Sequence, residues 1–172
     1  IVSTKKPFGF TTNYKGSKHP FKGAVKIYGN SRIEYVKKSD ITRRLDCIDN
    51  HKLIIPKAVG TGDSKTDCIK PLYCEPNSCC TETYLLLGPF ASKSECKNVL
   101  SYVNTRFFHF LVTLQKNTQD CMKKVYSFVP IQNFNEPWTD ERLYKKYGLS
   151  KEEIAFVESM VRPMEANMEG IA

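Results

Sequence analysis

Lysine and arginine are interleaved with tyrosine and amide side chains through the first half of the chain. Lys5, Lys6, Asn13, Tyr14, Lys15 and Lys18 form one group. Lys22, Lys26, Tyr28, Asn30, Arg32, Tyr35, Lys37 and Lys38 form a second, and Arg43, Arg44, Lys52, Lys57, Lys65 and Lys70 follow. Cationic side chains neutralise phosphates and give an affinity that depends on salt. Tyrosine and amide groups add stacking and base-edge contacts. A third group, Lys116-Asn117-Thr-Gln119 with Lys123 and Lys124, brings two amides that can each pair bidentately with adenine beside lysines that hold backbone. The candidate DNA-contacting residues are therefore Lys15, Lys26, Tyr28, Arg32, Arg43, Arg44, Lys57, Lys116, Asn117, Gln119, Lys123 and Lys124. The plain alternative is a solvated amphipathic hairpin for the first set, and a helix-capping turn for the second.

Other chemistries leave weaker traces. Seven cysteines are an odd count, and Cys68, Cys74, Cys79 and Cys80 follow C-x5-C-x4-C-C, without the close pairs of a zinc ribbon. With no secretory signal, reduced thiols in a cytoplasmic protein are expected, and no metal. Glu95-Cys-Lys97 has the Glu-x-Lys form found at Mg²⁺ sites of nucleases, but such a site needs Asp67, Glu75, Glu82 and Glu95 to converge. Glu95 also completes a helix capping box with Ser92, which is the preferred reading. His19, His51 and His109 have no ligand spacing, and no glycine-rich phosphate loop occurs. The segment 143–162 scans like a helix-turn-helix, yet Glu152, Glu153 and Glu158 would face phosphate on its second helix. It reads instead as a packing or docking hairpin.

The elements that must position these groups follow from periodicity. Ala24–Tyr28 and Arg32–Val36 alternate apolar and polar residues about a Gly29-Asn-Ser31 turn, which predicts a hairpin with Lys26 and Tyr28 on one face. A two-stranded ribbon of this kind fits the major groove. Asp40–Asn50 reads as a short helix with Ile41, Leu45 and Ile48 inward. Residues 52–57, 81–87 and 125–129 read as strands, the second closed by Gly88-Pro89, and 60–65 as an exposed loop. One long helix is expected from Ser92 to about Gln115. Thr139 and Ser150 cap two further helices, with Gly148 between them, and the last residues from Met164 are expected to fray.

The 172 residues are 41% hydrophobic and 26% charged, which excludes the low-hydrophobicity class that stays disordered. No apolar run is long enough for a membrane helix. The net charge of +8 conceals a gradient: +9 over residues 1–70, +2 over 71–135 and −3 over 136–172. A basic half on a folded domain points to a polyanion partner. The start lacks both Met and signal-peptide layout, which reads as a piece of a longer polypeptide.

Several stretches resemble a known family. Lys52-Leu-Ile-Ile-Pro-Lys-Ala58, Glu75-Pro-Asn-Ser-Cys-Cys-Thr-Glu-Thr-Tyr84, Asn98-Val-Leu-Ser-Tyr-Val-Asn-Thr-Arg-Phe-Phe108 and Lys123-Lys-Val-Tyr-Ser-Phe-Val-Pro-Ile-Gln132 are similar to the C-terminal region of restriction–modification DNA methyltransferases. So is Pro137-Trp-Thr-Asp-Glu-Arg-Leu-Tyr-Lys-Lys-Tyr-Gly-Leu149. The Eco57I-like, adenine-specific type, with methylase and specificity parts on one chain, is the nearest. The resemblance runs from about Pro7 to Met164 and implies a target-recognition domain. It also implies an N-terminal methyltransferase domain holding S-adenosylmethionine and an Asn-Pro-Pro-Tyr-type motif for the flipped adenine. Neither occurs in this sequence, so the chain alone would need no cofactor and would not methylate.

The expectation is an α+β fold: a curved, mainly antiparallel sheet packed on one long amphipathic helix, with a C-terminal helical hairpin. Residues 1–135 would recognise double-stranded DNA, and 136–172 would be an acidic helical appendage packing on that domain and docking on the catalytic part or a partner. The hairpin and the 116–124 loop would straddle the duplex, which requires the cations to converge on one concave strip. The rivals are a Mg²⁺-dependent DNA endonuclease domain and a protein-interaction module without a DNA role.

Overall fold

A computed structural model of the chain describes residues 2–58, 69–116 and 121–161. It is a mixed α+β fold with two small sheets where one was expected. The alternating residues of β1 (Ala24–Gly29) and β2 (Arg32–Lys37) form the hairpin, with Gly29 opposite Arg32 and Asn30 and Ser31 in the turn. A short β5 (Ser78–Cys80) joins β1 in parallel, giving an outer sheet of order β2-β1-β5. The apolar run β3 (His51–Pro56) lies between β4 (Leu72–Cys74) and β6 (Tyr84–Phe90), antiparallel to both, as the central sheet.

Strand alternation gives the central sheet two buried faces. Leu53, Ile55, Leu85 and Leu87 meet the helices, while Ile54, Leu86 and Cys74 meet Val25, Ile27 and Val36 of the outer sheet. The order of layers is therefore helices, central sheet, outer sheet. Burying an aliphatic side chain on either face stabilises the fold by roughly 1.5–3 kcal/mol.

The helical layer departs from the expected single helix. It consists of α1 (Lys93–Val103) and α2 (Arg106–Thr113), broken at Asn104 and Thr105. Thr105 Oγ1 accepts the Phe108 amide at 3.1 Å, and the Asp140 carboxylate accepts the amides of Arg106 and Phe107 at 3.1 and 2.9 Å. A cap from a residue distant in sequence thus starts a new helix inside a continuous apolar pattern. At α1, Ser92 Oγ accepts the Glu95 amide, while Glu95 returns to the amide of Ala91, one residue before the cap.

Asp140 opens α3 (Asp140–Tyr147), which ends on left-handed Gly148. The full Ser150–Glu153 capping box starts α4 (Lys151–Met160). Both helices pack on α2, and Leu143, Tyr144 and Val157 join the same core as Leu53 and Val103.

Three further expectations are corrected. Residues 40–50 form short 3-10 turns at Lys38–Asp40 and Leu45–Cys47, and Leu45 is 54% exposed while Ile41 and Ile48 are buried. Arg44 adopts a left-handed conformation between the turns, which no α-helix admits. The predicted strand 125–129 is a 3-10 turn at Lys123–Tyr126, with Val125 and Tyr126 both buried. It lies over the helix-facing side of the central sheet, where β3 is paired on both sides and Val2 bridges Leu87 of β6. The strand expected to stop at Gly88-Pro89 runs on to Phe90 through a cis Gly88–Pro89 bond, which β6 accommodates as an edge strand beside a register shift. The expected loop at 60–65 and the frayed end from Met164 lie outside the described residues.

The two sheets meet around one charged group. Lys52 is fully buried, and its Nζ donates to Ile48 O at 3.1 Å, Asn50 O at 2.7 Å, Glu75 O at 3.1 Å and Ser78 Oγ at 3.2 Å. Burial lowers its pKa, opposed by nearby acidic groups. Lys52→Met keeps the aliphatic length but leaves buried carbonyls short of a donor, so stability should fall by about 2–4 kcal/mol in urea unfolding. An unchanged midpoint would contradict this role.

His109 on α2 is also buried, and its Nε2 has no hydrogen-bond partner. Burial pushes its pKa from 6.5 down to about 4, against a backbone hydrogen bond with Val103 that raises it. The folded state therefore holds the neutral ring while the unfolded chain takes up a proton first. The resulting stability is complete above pH 6.5 and is lost as pH falls from 6.5 to about 4, by up to about 3 kcal/mol. His109→Leu should flatten that part of the stability–pH curve, and a parallel curve for the variant would refute the assignment.

Candidate nucleic-acid interface

The outer face of the hairpin carries Lys26, Tyr28, Tyr35 and Lys37, with Ile33 51% exposed among them. Two of the predicted contacts are already engaged. Glu75 accepts from Lys26 Nζ at 2.7 Å and from the Tyr28 hydroxyl at 2.6 Å, and the ammonium lies 5.1 Å from the Tyr28 ring centre. Burial works to raise the Glu75 pKa, but the hydrogen bonds from Lys26 and Tyr28 hold it below the usual range. Burial and the same carboxylate drive the Tyr28 phenol upward.

Arg32 is also committed internally. Its Nε pairs with Glu34 at 3.1 Å, and its Nη2 donates to the carbonyls of Thr12, at 3.0 Å, and Tyr14. It thereby pins the N-terminal loop to the start of β2. Gly16 brings that loop close, since a Cβ there would stand 2.5 Å from Tyr35 O, and Ser17 pairs with Tyr35 as a short extra strand. Arg44 reaches Cys47 Sγ at 2.8 Å and Asp46 at 3.5 Å. Lys15 and Arg43 are exposed, with no carboxylate within 4 Å among the described residues.

Three successive backbone hydrogen bonds run along the end of the sheets where the hairpin turns. Tyr28 O accepts from Thr81 N at 3.0 Å, Thr83 O from Lys57 N at 2.9 Å, and Lys57 O from Cys121 N at 2.8 Å. The N-terminal loop joins this end through Phe10 O, which accepts from Glu82 N at 3.0 Å, and through Lys6, 3.7 Å from the Glu82 carboxylate. The hairpin turn, Lys57 and the segment leading to exposed Lys123 and Lys124 thus share one edge of the molecule, although the hairpin and the 3-10 turn belong to different layers. Lys116 is half-buried at the end of the helical layer. Asn117 and Gln119 lie outside the described residues.

Sequence reading missed the partner Glu75, because nothing local marks a turn glutamate as the acceptor for a strand 47 residues earlier. It also passed over Lys146, which bonds Gln132 Oε1 at 2.6 Å and lies 4.8 Å from the Trp138 ring centre, with the Arg142 guanidinium 4.7 Å from the same ring.

The carboxylates a Mg²⁺ site would need have separate partners. Glu75 holds Lys26 and Tyr28, Glu82 holds Thr12 N and Lys6, and Glu95 holds Ala91 N; Asp67 lies outside the described residues. Among the described residues no group of three or more His, Cys, Asp or Glu side chains is placed to bind a metal, and no helix is long and apolar enough to cross a membrane. The six described cysteines are buried, and burial raises Cys79 and Cys96 to about 12. Such thiols are poor nucleophiles at neutral pH. Comparison of the chain with known protein families, curated proteins and solved structures finds no match.

Arg32→Ala should release the loop at Thr12–Gly16, lowering stability by about 1–3 kcal/mol. Limited trypsin digestion should then cut first after Lys15, and an unchanged cleavage pattern would show that the clamp carries no weight.

Proposed function

We propose that the chain is the double-stranded DNA recognition part of an adenine-specific restriction–modification methyltransferase. Its catalytic half, with S-adenosylmethionine, would lie on the N-terminal methyltransferase domain of the same parent chain. The observation that supports this reading best is the shared edge, where backbone hydrogen bonds tie Tyr28 to Thr81, Thr83 to Lys57 and Lys57 to Cys121, with the hairpin turn beginning two residues after Tyr28 and Lys123 and Lys124 two and three residues after Cys121. Lys15 and Arg43 add unpaired charge on the N-terminal side. Phosphate contacts from these residues would set the register on the duplex, and side chains of the loop at 116–124 would read base edges. Lys26, Tyr28, Arg32 and Arg44 contribute differently from the first expectation: their internal partners make them shape the surface, with DNA contacts secondary.

The acidic tail, residues 136–172, would dock on the catalytic part. Its described helices expose Glu141, Glu152, Glu153 and Glu158, which repel phosphate.

Binding to a pool of random duplexes at increasing salt tests the reading. Log affinity should fall with log salt at a slope of roughly −0.9 per phosphate contacted. Lys57→Glu and the double change Lys123→Glu/Lys124→Glu should each weaken binding and reduce that slope, whereas Lys151→Glu should not. Weak binding that ignores salt would instead favour a protein-interaction module. Cleavage of plasmid in Mg²⁺ would favour a nuclease.

A further inference from the structure

Beneath the segment 123–134 lies a half-open cavity of about 480 Å³. Its floor is the helix-facing side of the central sheet, at Ile55 and Leu87, with Val99 and Val103 of α1 as one wall. The volume falls within the range of small-molecule sites, about 300–1,000 Å³. The lining is almost wholly apolar, so a nucleobase, which needs several fixed hydrogen bonds, is a poor occupant.

One feature breaks the apolar surface. Lys123 and Lys124 stand exposed at the mouth, with no carboxylate within 4 Å among the described residues. Tyr126 of the same short turn adds its ring to the lining, while its hydroxyl is turned away into the protein beside Cys121. The combination of greasy interior and paired ammonium groups is complementary to one class of molecule.

We propose that this cavity binds an amphiphilic anion, with its hydrocarbon body against Val99, Val103 and Leu87 and its carboxylate at the ammonium groups of Lys123 and Lys124. The inference does not rest on DNA recognition, although it gives Lys123 and Lys124 a second role. Hydrocarbon burial supplies most of the affinity, and the mouth selects the charged end. The segment 127–134 that roofs the cavity contains no helix or strand, and Ile131 at its edge is 70% exposed, so the entrance is built from chain free of sheet pairing.

Titration calorimetry with dodecanoate on the full chain tests this. One saturable site per chain is expected, with dodecanol binding at least about tenfold more weakly at the same chain length. Lys123→Glu/Lys124→Glu should lower dodecanoate affinity by a similar factor and leave dodecanol unaffected. Ser127→Trp, at an exposed position on the rim, should block both ligands, with circular dichroism confirming the fold. Flotation with vesicles containing anionic lipid separates the source of the anion: binding of monomeric dodecanoate without flotation supports the cavity. Absence of saturable dodecanoate binding, flotation without it, equal affinity for the alcohol, or binding that survives Ser127→Trp would each overturn the proposal.

Discussion

A single buried ammonium determines how the two sheets meet. Lys52 sits on the face of β3 turned toward the outer sheet, where an apolar residue would be the default. Its donors are used on carbonyls from the turn before β3 and on the loop between β4 and β5. That loop contains Glu75, whose backbone carbonyl bonds to Lys52 and whose carboxylate bonds to Lys26 and Tyr28 of the hairpin. One residue therefore transmits the position of the buried cation to the outer sheet. Charge in this fold is first a means of assembly, and only the cations left over are available to a partner.

Local signals were legible wherever one short stretch carries its own reason for folding. The β1–β2 hairpin, β3, and the caps at Thr139, Gly148 and Ser150 all follow from residues within a few positions of one another. The failures share a cause. The break between α1 and α2 depends on Asp140, more than thirty residues away. The segment from Val125 has the composition of a strand, yet Val125 and Tyr126 are buried as part of a 3-10 turn packed on α2. The division into two sheets rests on pairing β1 with β5, a three-residue segment too short to carry a pattern.

The candidate interface was legible as a list of charges and much less as an arrangement. Lys15, Lys123 and Lys124 are exposed and Lys57 is half-buried. Lys26, Arg32 and Arg44 have internal partners, because Glu75, Glu34 and Asp46 are brought to them by register and backbone turns. Arg32 and Glu34 lie two residues apart, so that pairing was in principle readable from strand alternation; the link from Lys26 to Glu75 was not. The union of hairpin turn and 3-10 turn along one edge depends on the path of residues 81–83 between the sheets, which periodicity does not reveal.

The first twenty residues do more than carry charge. Val2 pairs with Leu87 and Ser3 bonds both ways with Leu86, while Ser17 lies along Tyr35. The segment thus lays backbone against the outermost strand of each sheet. Unpaired strand borders invite pairing with another chain, and proteins manage them by covering or charging them. Removing this stretch would uncover two strand borders and take Phe8 and Phe10 out of the core at once, so shortened forms lacking it would tend to associate into aggregates.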